Sequence, residues 1–180
     1  MHKLHQHHSN ISDEYSVSVA INSDSKYLKI TYRVISPKLN TSNDFSTTDL
    51  DNWGLWEFDV VEAFLQKGQE SGEYLEIQAS PLSQRFALRV IKPREETIKV
   101  AEAELDFTVN VKESSEFIEI TIAIALDDIP GKSDALMYGN IFTCLGPKGN
   151  QHFFALKINS EIKPDFHRPD LFCNLLEELA

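Results

Sequence analysis

Apolar and polar residues alternate along most of this chain, and the alternation predicts short β-strands. Residues 15–21 and 27–35 carry apolar side chains at every second position, which is the period of a strand with one buried face. The polar link at residues 22–25 has turn chemistry, so these two strands are expected to form a hairpin. Residues 100–112 and 117–125 repeat the same alternation and predict two further strands.

The segment 59–66 differs from these strands because apolar side chains occupy both its odd and its even positions. That pattern predicts a central strand covered on both faces. Asp59 and Glu62 lie three residues apart on it and are expected to point to opposite faces. A carboxylate at Glu62 would stand on an apolar face, where it needs a partner. We expect Arg85 or Arg89 to supply one as a buried structural ion pair.

Residues 73–80 and 85–92 predict the clearest hairpin, joined by the four-residue connection 81–84. The predicted register sets Glu76 directly across from Arg89. Opposite charges then meet on one face, and apolar side chains meet on the other.

The rest of the sequence predicts two further strands, a C-terminal helix and a loose N-terminus. Residues 137–145 and 152–158 bring the predicted total to about nine strands, and Asp170 is expected to cap a short C-terminal helix. Residues 1–12 are predicted to be a flexible, histidine-rich N-terminus, and residues 13–180 a single domain. The fold class expected is all-β, an antiparallel sandwich of jelly-roll or immunoglobulin-like type.

Composition and charge narrow the function. The chain has 28 acidic and 17 basic residues, a net charge of −11, which disfavours nucleic acid and anionic membranes as partners. No apolar run approaches the ~18 residues of a membrane-spanning helix. The N-terminal residues lack the apolar segment of a signal peptide, so a cytoplasmic location is expected. Nucleophile-elbow, metalloprotease, P-loop and dinucleotide-binding patterns are all missing, so no catalytic residue and no cofactor is predicted.

Five segments in order carry a resemblance to a known family. They are LWEFDVVEAFL at 55–65, YLEIQASP at 74–81, RFALR at 85–89, HFFAL at 152–156 and KPDFHRP at 163–169. Together they resemble the DOMON-like branch of carbohydrate-binding module family nine. The resemblance covers roughly residues 50–170. It implies a β-sandwich with a ligand site on one sheet face or at its rim. Relatives bind sugars, some with structural calcium, and more distant ones bind haem.

The resemblance directs attention to the two tryptophans. Sugar-binding members clamp the sugar between two aromatic rings, whereas this chain carries Trp53 and Trp56 on one segment. A flat, electron-rich indole stacks well on the C–H face of a sugar. We therefore predict a carbohydrate or other small molecule as the ligand. The predicted ligand-binding residues are an aromatic shelf, a second aromatic wall and polar contacts: Trp53, Trp56, Phe154, Glu76, Gln78, Arg85 and Arg89. The alternative for the tryptophans is structural, with Trp56 in the core and Trp53 covering the long loop at 36–52.

Two other hypotheses stay open at this stage. One is a haem or small-cofactor carrier, for which His152, His167 and Met137 are the candidate axial ligands. The other is a structural or interaction module whose groove is filled by its own loop 36–52. Four N-terminal histidines stand close enough in sequence to bind a transition metal, but a loose terminus is the expectation there: His2, His5, His7 and His8.

Overall fold

The computed structural model describes residues 1–69, 72–132 and 136–180. The strands there are β1 (His2–Lys3), β2 (His5–Gln6), β3 (Ser16–Ser23), β4 (Tyr27–Ile35), β5 (Val60–Lys67), β6 (Tyr74–Ala79), β7 (Arg85–Lys92), β8 (Glu96–Lys99), β9 (Phe107–Glu113), β10 (Ile118–Ala125), β11 (Met137–Leu145), β12 (His152–Ala155) and β13 (Cys173–Asn174). The α-helix α1 spans Leu175–Glu178. None of the helices in these ranges is long and apolar enough to cross a bilayer.

The strands form two sheets with antiparallel ladders. The first sheet has the spatial order β1-β3-β4-β10-β9, and the second has the order β2-β12-β11-β5-β6-β7-β8, with β13 on β11. The predicted hairpin of β3 and β4 is confirmed, since Ser23 pairs with Leu28 at the turn. The predicted all-β antiparallel sandwich is therefore confirmed, although the short edge strands raise the strand number above nine.

The main core lies between the two sheets. The first sheet contributes Val17, Val19, Leu28 and Ile30, and the second contributes Val61, Ala63, Leu75 and Ile77, all within one apolar cluster. The buried Tyr32 hydroxyl crosses this layer and donates to the backbone carbonyl of Glu62 at 2.7 Å. The alternation seen in the sequence follows from this arrangement, because each strand turns one side toward the other sheet.

The outer face of the second sheet carries a separate apolar cluster. It includes side chains of β5, β6, β7 and β11, among them Phe64, Tyr74, Phe86 and Phe142. Two segments outside the strands pack over it, one contributing Phe45 and Trp56 and the other Ile158 and Phe166. This double coverage explains why β5 is apolar on both faces, as the sequence predicted.

The predicted register of the β6–β7 hairpin is wrong by one residue. Glu76 pairs with Leu88, and Arg89 pairs with Leu75. A shift of one residue moves every side chain of a strand to the other face relative to its neighbour. Arg85 and Arg89 therefore lie on the face opposite to Glu76.

The turn explains the error. The connection was expected to be four residues, but the Ser80 N–H donates to the Gln84 carbonyl at 3.0 Å and closes a three-residue loop. Ser83 has a φ of 61°, in the left-handed region. A tight turn followed by one left-handed residue is a common three-residue hairpin loop, and a left-handed serine is hard to foresee from sequence.

The single strand predicted over residues 100–112 is also corrected. Only β9 forms there, and a 3-10 turn at Glu102–Glu104 carries the chain to it from β8 of the other sheet. Val100 and Leu105 on either side of the turn are buried in the core. Apolar residues thus keep the same alternation where the chain crosses from one sheet to the other. The sequence pattern therefore does not show that the strand is interrupted.

The termini differ from prediction as well. Residues 1–12 were expected to be loose, yet β1 pairs with β3, β2 pairs with β12, and Leu4 between them is buried in the core. At the other end, Asp170 does not cap a helix; its carboxylate accepts hydrogen bonds from Arg168. The helix begins five residues later at Leu175, and a 3-10 turn occupies Pro169–Leu171.

The last predicted strand, 152–158, ends early at Ala155. The side chain of Asn140 on β11 accepts from the Lys157 N–H at 3.0 Å and donates to the Lys157 carbonyl at 2.7 Å. The buried side-chain amide of Asn140 thus takes the backbone hydrogen bonds that a neighbouring strand would make with Lys157. The chain then leaves the sheet toward its outer face.

Candidate functional site

The outer face of the second sheet contains a pocket of about 330 Å³. Its floor consists of side chains that alternate along adjacent strands, and its walls come from the two covering segments. The lining residues are Trp53, Trp56, Glu62, Phe64, Glu76, Gln78, Phe86, Leu88, Cys144, Gln151, Phe153, Pro164, Asp165, Phe166 and His167. The volume lies near the lower end of the range of small-molecule sites, about 300–1,000 Å³.

The register of β5, β6 and β7 determines which side chains form the floor of the pocket. Glu62 pairs with Gln78, and Gln78 pairs with Phe86, so these three side chains form one row across β5, β6 and β7. The next row contains Phe64, Glu76 and Leu88. Acidic and amide groups therefore alternate with aromatic and aliphatic ones on the same face of the sheet.

The first wall is aromatic and comes from the segment before β5. Gly54, with a φ of 91°, starts a 3-10 turn at Leu55–Glu57 that lifts Trp53 and Trp56 above the sheet. Their ring centroids lie 4.9 Å apart at 83°, and Phe86 lies 5.6 Å from Trp56. Trp53 keeps 61% of its surface exposed, whereas Trp56 is half-buried. The tryptophans thus form an edge-to-face pair with one plate open to solvent.

The wall is held by polar contacts beneath it. The Asn52 side-chain amide donates to the Ser46 carbonyl at 2.7 Å and the Arg85 carbonyl at 2.8 Å, which ties loop 36–52 to β7. Gln151 donates to the Trp56 carbonyl at 2.9 Å. The loop packs Phe45 against the outer cluster, but the pocket beside it remains open.

The second wall comes from β12 and the segment that follows it. Phe153 projects from β12 on the pocket side, and Phe166 stacks on Phe142 at a centroid distance of 4.2 Å. His167 follows Phe166, and its Nδ1 lies 2.7 Å from the Tyr74 hydroxyl. Asp165 at the rim forms an ion pair with Arg94.

The polar floor holds two buried carboxyl groups. Glu62 is 3% exposed and Glu76 is 5% exposed. Burial raises the pKa of Glu62 to about 8, with a further contribution from the charge of Glu76. Burial likewise raises the pKa of Glu76 to about 7, opposed by a hydrogen bond from Gln78. A proton on at least one of the two is therefore favoured at neutral pH.

The protein supplies few donors to these carboxyls. The Cys144 thiol donates to Glu62 Oε1 at 3.4 Å, and Gln78 Nε2 donates to Glu76 Oε1 at 2.8 Å. His167 Nε2 stands 3.9 Å from Glu76 Oε2, too far for a hydrogen bond. Gln78 Oε1 is buried and has no hydrogen-bond partner within the described ranges.

His167 does not supply a strong positive charge. Burial lowers its pKa, and the nearby Arg94 lowers it further. The imidazole is thus expected to be neutral at pH 7. Among the described lining residues it is the one group able to become cationic.

Four of the seven predicted ligand-binding residues line the pocket: Trp53, Trp56, Glu76 and Gln78. Arg85 and Arg89 do not, because of the register shift. The Arg85 guanidinium instead bonds to the Phe107 carbonyl and to Glu102 Oε1 at 2.7 Å. The expected ion pair of Glu62 with either arginine is therefore wrong. Phe154 is also misplaced, since it is buried between the sheets and its neighbour Phe153 faces the pocket.

The sequence interpretation did not assign Phe86, Gln151, Phe153, Phe166 or His167 to the site. Phe86 could have been found from the correct hairpin register, because it pairs with Gln78. The segment containing Phe166 and His167 has no regular pattern that would indicate where it folds back. Asp59 does not line the pocket, whereas Glu62 does; the Asp59 carboxylate accepts from the Gly146 N–H at 2.6 Å.

The candidate haem ligands do not converge. His167 lines the pocket, Met137 is buried in the core between the sheets, and the His152 Nδ1 lies 3.0 Å from the Asn10 carbonyl. No group of three or more metal-ligating side chains occurs in residues 1–69, 72–132 and 136–180. Of the N-terminal histidines, His2, His5 and His8 are exposed, and His7 is buried with its Nδ1 2.8 Å from the Ser9 hydroxyl.

Solved structures share this fold. A Bacteroides uniformis protein proposed to bind carbohydrate superimposes with a TM-score of 0.75 at 18% identity, covering 95% of this chain and 83% of that one. A family 9 carbohydrate-binding module from Caldicellulosiruptor kristjanssonii, solved with cellotriose, gives a TM-score of 0.61 at 15% identity, covering 90% and 74%. A family 9 module from the same organism, solved with glucose, gives a TM-score of 0.60 at 14% identity. The match covers 94% of this chain and 82% of that one.

No protein-family model and no curated protein sequence matches the chain. The structural similarity agrees with the family-nine part of the resemblance seen in the sequence, and none of these comparisons supports the DOMON-like part. At these identities the similarity shows that this chain shares the β-sandwich fold of these proteins.

Proposed function

We propose that this chain is a non-catalytic carbohydrate-binding domain whose site is the pocket on the outer face of the second sheet. The observation that carries the proposal is the open plate of Trp53 beside buried polar groups at the pocket floor. An exposed indole offers a flat apolar surface to the C–H face of a sugar ring. The acceptors of Glu62, Glu76 and Gln78 offer partners for its hydroxyl groups.

The fold similarity supports the same class of ligand. The structurally similar modules were solved with glucose and cellotriose, and the pocket described here has the size of a small-molecule site. Binding requires no reacting group, and the buried Cys144 thiol, whose pKa is raised by burial and by Glu62, is a poor nucleophile. The domain is expected to hold a sugar without altering it.

Calorimetric titration with a panel of mono- and oligosaccharides tests the proposal. The wild-type domain should bind at least one of them, and Trp53→Ala should weaken that binding about tenfold or more, as aromatic anchors do. Because Trp53 is 61% exposed, its removal should leave thermal unfolding nearly unchanged. Ile98→Ala is the matched control, since Ile98 is an exposed apolar residue on β8 that does not line the pocket. Equal binding by the wild type and Trp53→Ala would contradict the proposal.

A further inference from the structure

The side chains of Glu62, Glu76 and Gln78 at the floor of the described pocket have hydrogen-bond acceptors that the protein leaves partly unsatisfied. Two carboxyl groups and the carbonyl oxygen of Gln78 face the pocket, while the Gln78 and Gln151 amides already donate to protein acceptors. A carboxylate has about four acceptor sites, and the donors described above reach one oxygen of each carboxyl. A ligand that brings N–H or O–H groups therefore fits the floor, and a cationic donor fits it best because it can displace the protons held by the two carboxyls.

Gln78 adds evidence that is independent of the carboxyls. Its side chain is 1% exposed, lines the pocket, and has an Oε1 that lacks a donor in the described part of the chain. An unsatisfied buried acceptor costs free energy in the empty protein, about 1–3 kcal/mol. A ligand donor placed there recovers that free energy on binding.

The ionisable groups at the floor of the pocket are the two acidic side chains Glu62 and Glu76, which suit a cation. Glu62 and Glu76 face each other diagonally across β5 and β6, Asp165 stands at the rim against Arg94, and His167 is neutral at pH 7. Arg94 is a fixed positive charge beside the pocket rim, and Asp165 balances it. Two buried carboxyls without a cation hold protons instead of charge. An ammonium group could replace those protons.

The aromatic walls suit a cation as well. Trp53, Trp56 and Phe86 form one group of rings, and Phe153 and Phe166 stand on the other side. The faces of such rings attract an ammonium group, most strongly where water is excluded. An aromatic enclosure with carboxyls at its base combines cation–π attraction and charge-assisted hydrogen bonds.

From this geometry we infer that the preferred ligand is an amino sugar, bound through a protonated amine that donates to Glu76, Glu62 and Gln78 Oε1. The inference rests on the proposed carbohydrate-binding function and names the class of sugar. An ammonium group has three donors and no acceptor, which matches the polar floor. The sugar ring then supplies the apolar face that stacks on Trp53.

Calorimetry with three monosaccharides of similar size tests the inference: glucosamine, glucose and neutral N-acetylglucosamine. At pH 7, glucosamine should bind about tenfold or more tightly than glucose, the effect of one charge-assisted hydrogen bond. Titrations in two buffers of different ionisation enthalpy should detect proton release on binding glucosamine and none on binding glucose. Release is expected because the ammonium favours the charged form of Glu62 and Glu76.

Two conservative variants make the test specific. Glu76→Gln should reduce glucosamine affinity about tenfold and glucose affinity by a clearly smaller factor, because the amide keeps a hydrogen-bond acceptor but carries no charge. Glu113→Gln, an exposed carboxylate on β9 of the other sheet, removes the same charge away from the pocket and should change neither affinity. Glucose binding as tightly as glucosamine, with both lost in Trp53→Ala, would overturn the inference and leave the carbohydrate function standing. No binding of any of the sugars would overturn both.

Discussion

At the scale of single residues, the main feature of the site is the Glu62 carboxyl, which is buried without a cationic partner. It stands on the floor of the pocket without the arginine partner that its burial would lead one to expect. The pair with Arg85 or Arg89 was predicted because an isolated buried charge is costly. The protein meets that cost differently, by raising the pKa so that the carboxyl holds a proton at neutral pH.

This protonation makes stability depend on pH. Glu62 has a pKa of about 8 when folded and near its ordinary 4.5 when unfolded. Between these pH values the folded state holds a proton that the unfolded state has released, so the contribution of Glu62 to stability is greatest at low pH and is lost as pH rises toward 8. Glu62→Gln should therefore be more stable than the wild type at pH 9, by on the order of 5 kcal/mol, and nearly equal to it at pH 5.

Denaturant unfolding at pH 5, 7 and 9 measures this difference. Glu113→Gln is the control, because its exposed carboxylate should give the same stability difference from the wild type at all three pH values. A Glu62→Gln difference that does not change with pH would show that the carboxyl is already ionised in the folded domain.

At the scale of elements, sequence pattern predicted β3, β4 and β10 well, since each has a buried face that repeats every second residue. It also predicted β5, because apolar side chains at both odd and even positions indicate a strand covered on both faces. The pattern failed where local hydrogen bonds decide the path of the chain. The left-handed Ser83 and the carbonyl of Gln84 set the β6–β7 register, and the side chain of Asn140 ends β12. These interactions have no periodic signal.

The candidate site was likewise predicted only in part from the sequence. The tryptophans and the β6 pair Glu76 and Gln78 were identified from residue type and nearness to the hairpin. The arginines were misplaced because one residue of register exchanges the faces of β7. Phe166 and His167 come from a segment whose position depends on packing against Phe142 and Tyr74, contacts between parts of the chain far apart in sequence.

The pairing of β5 with β11 depends on one glycine. A Cβ on Gly139 would lie 2.1 Å from the Phe64 carbonyl oxygen and 3.1 Å from Leu175 Cδ1. Gly139→Ala should therefore force the two strands apart and lower the free energy of unfolding by about 3 kcal/mol or more. Urea unfolding measures the loss.

Gly149→Ala is the comparison for that variant. Gly149 has a φ of 86° in a turn, and nothing lies within 4 Å of a Cβ built there. Its replacement should cost only about 1 kcal/mol, from backbone conformation alone. Similar losses for the two alanine variants would contradict a steric role for Gly139.

At the scale of the whole molecule, the second sheet separates two apolar regions with different roles. Its inner face joins the first sheet in the core that stabilises the fold. Its outer face carries the second cluster, where rings from both covering segments leave a pocket between them. Pocket residues such as Trp53 can thus be exchanged with little effect on the core, and the net charge of −11 favours cationic over anionic ligands at the surface.

The central claim is that carbohydrate binds in this pocket, and nuclear magnetic resonance of the ¹⁵N-labelled domain tests it most directly. Titration with glucosamine or glucose should shift the indole N–H signals of Trp53 and Trp56 and the side-chain amide of Gln78, whose groups line the pocket. The amides of β3 and β9 in the first sheet should stay unchanged. Shifts confined to the first sheet, or no shift with either sugar, would contradict the account.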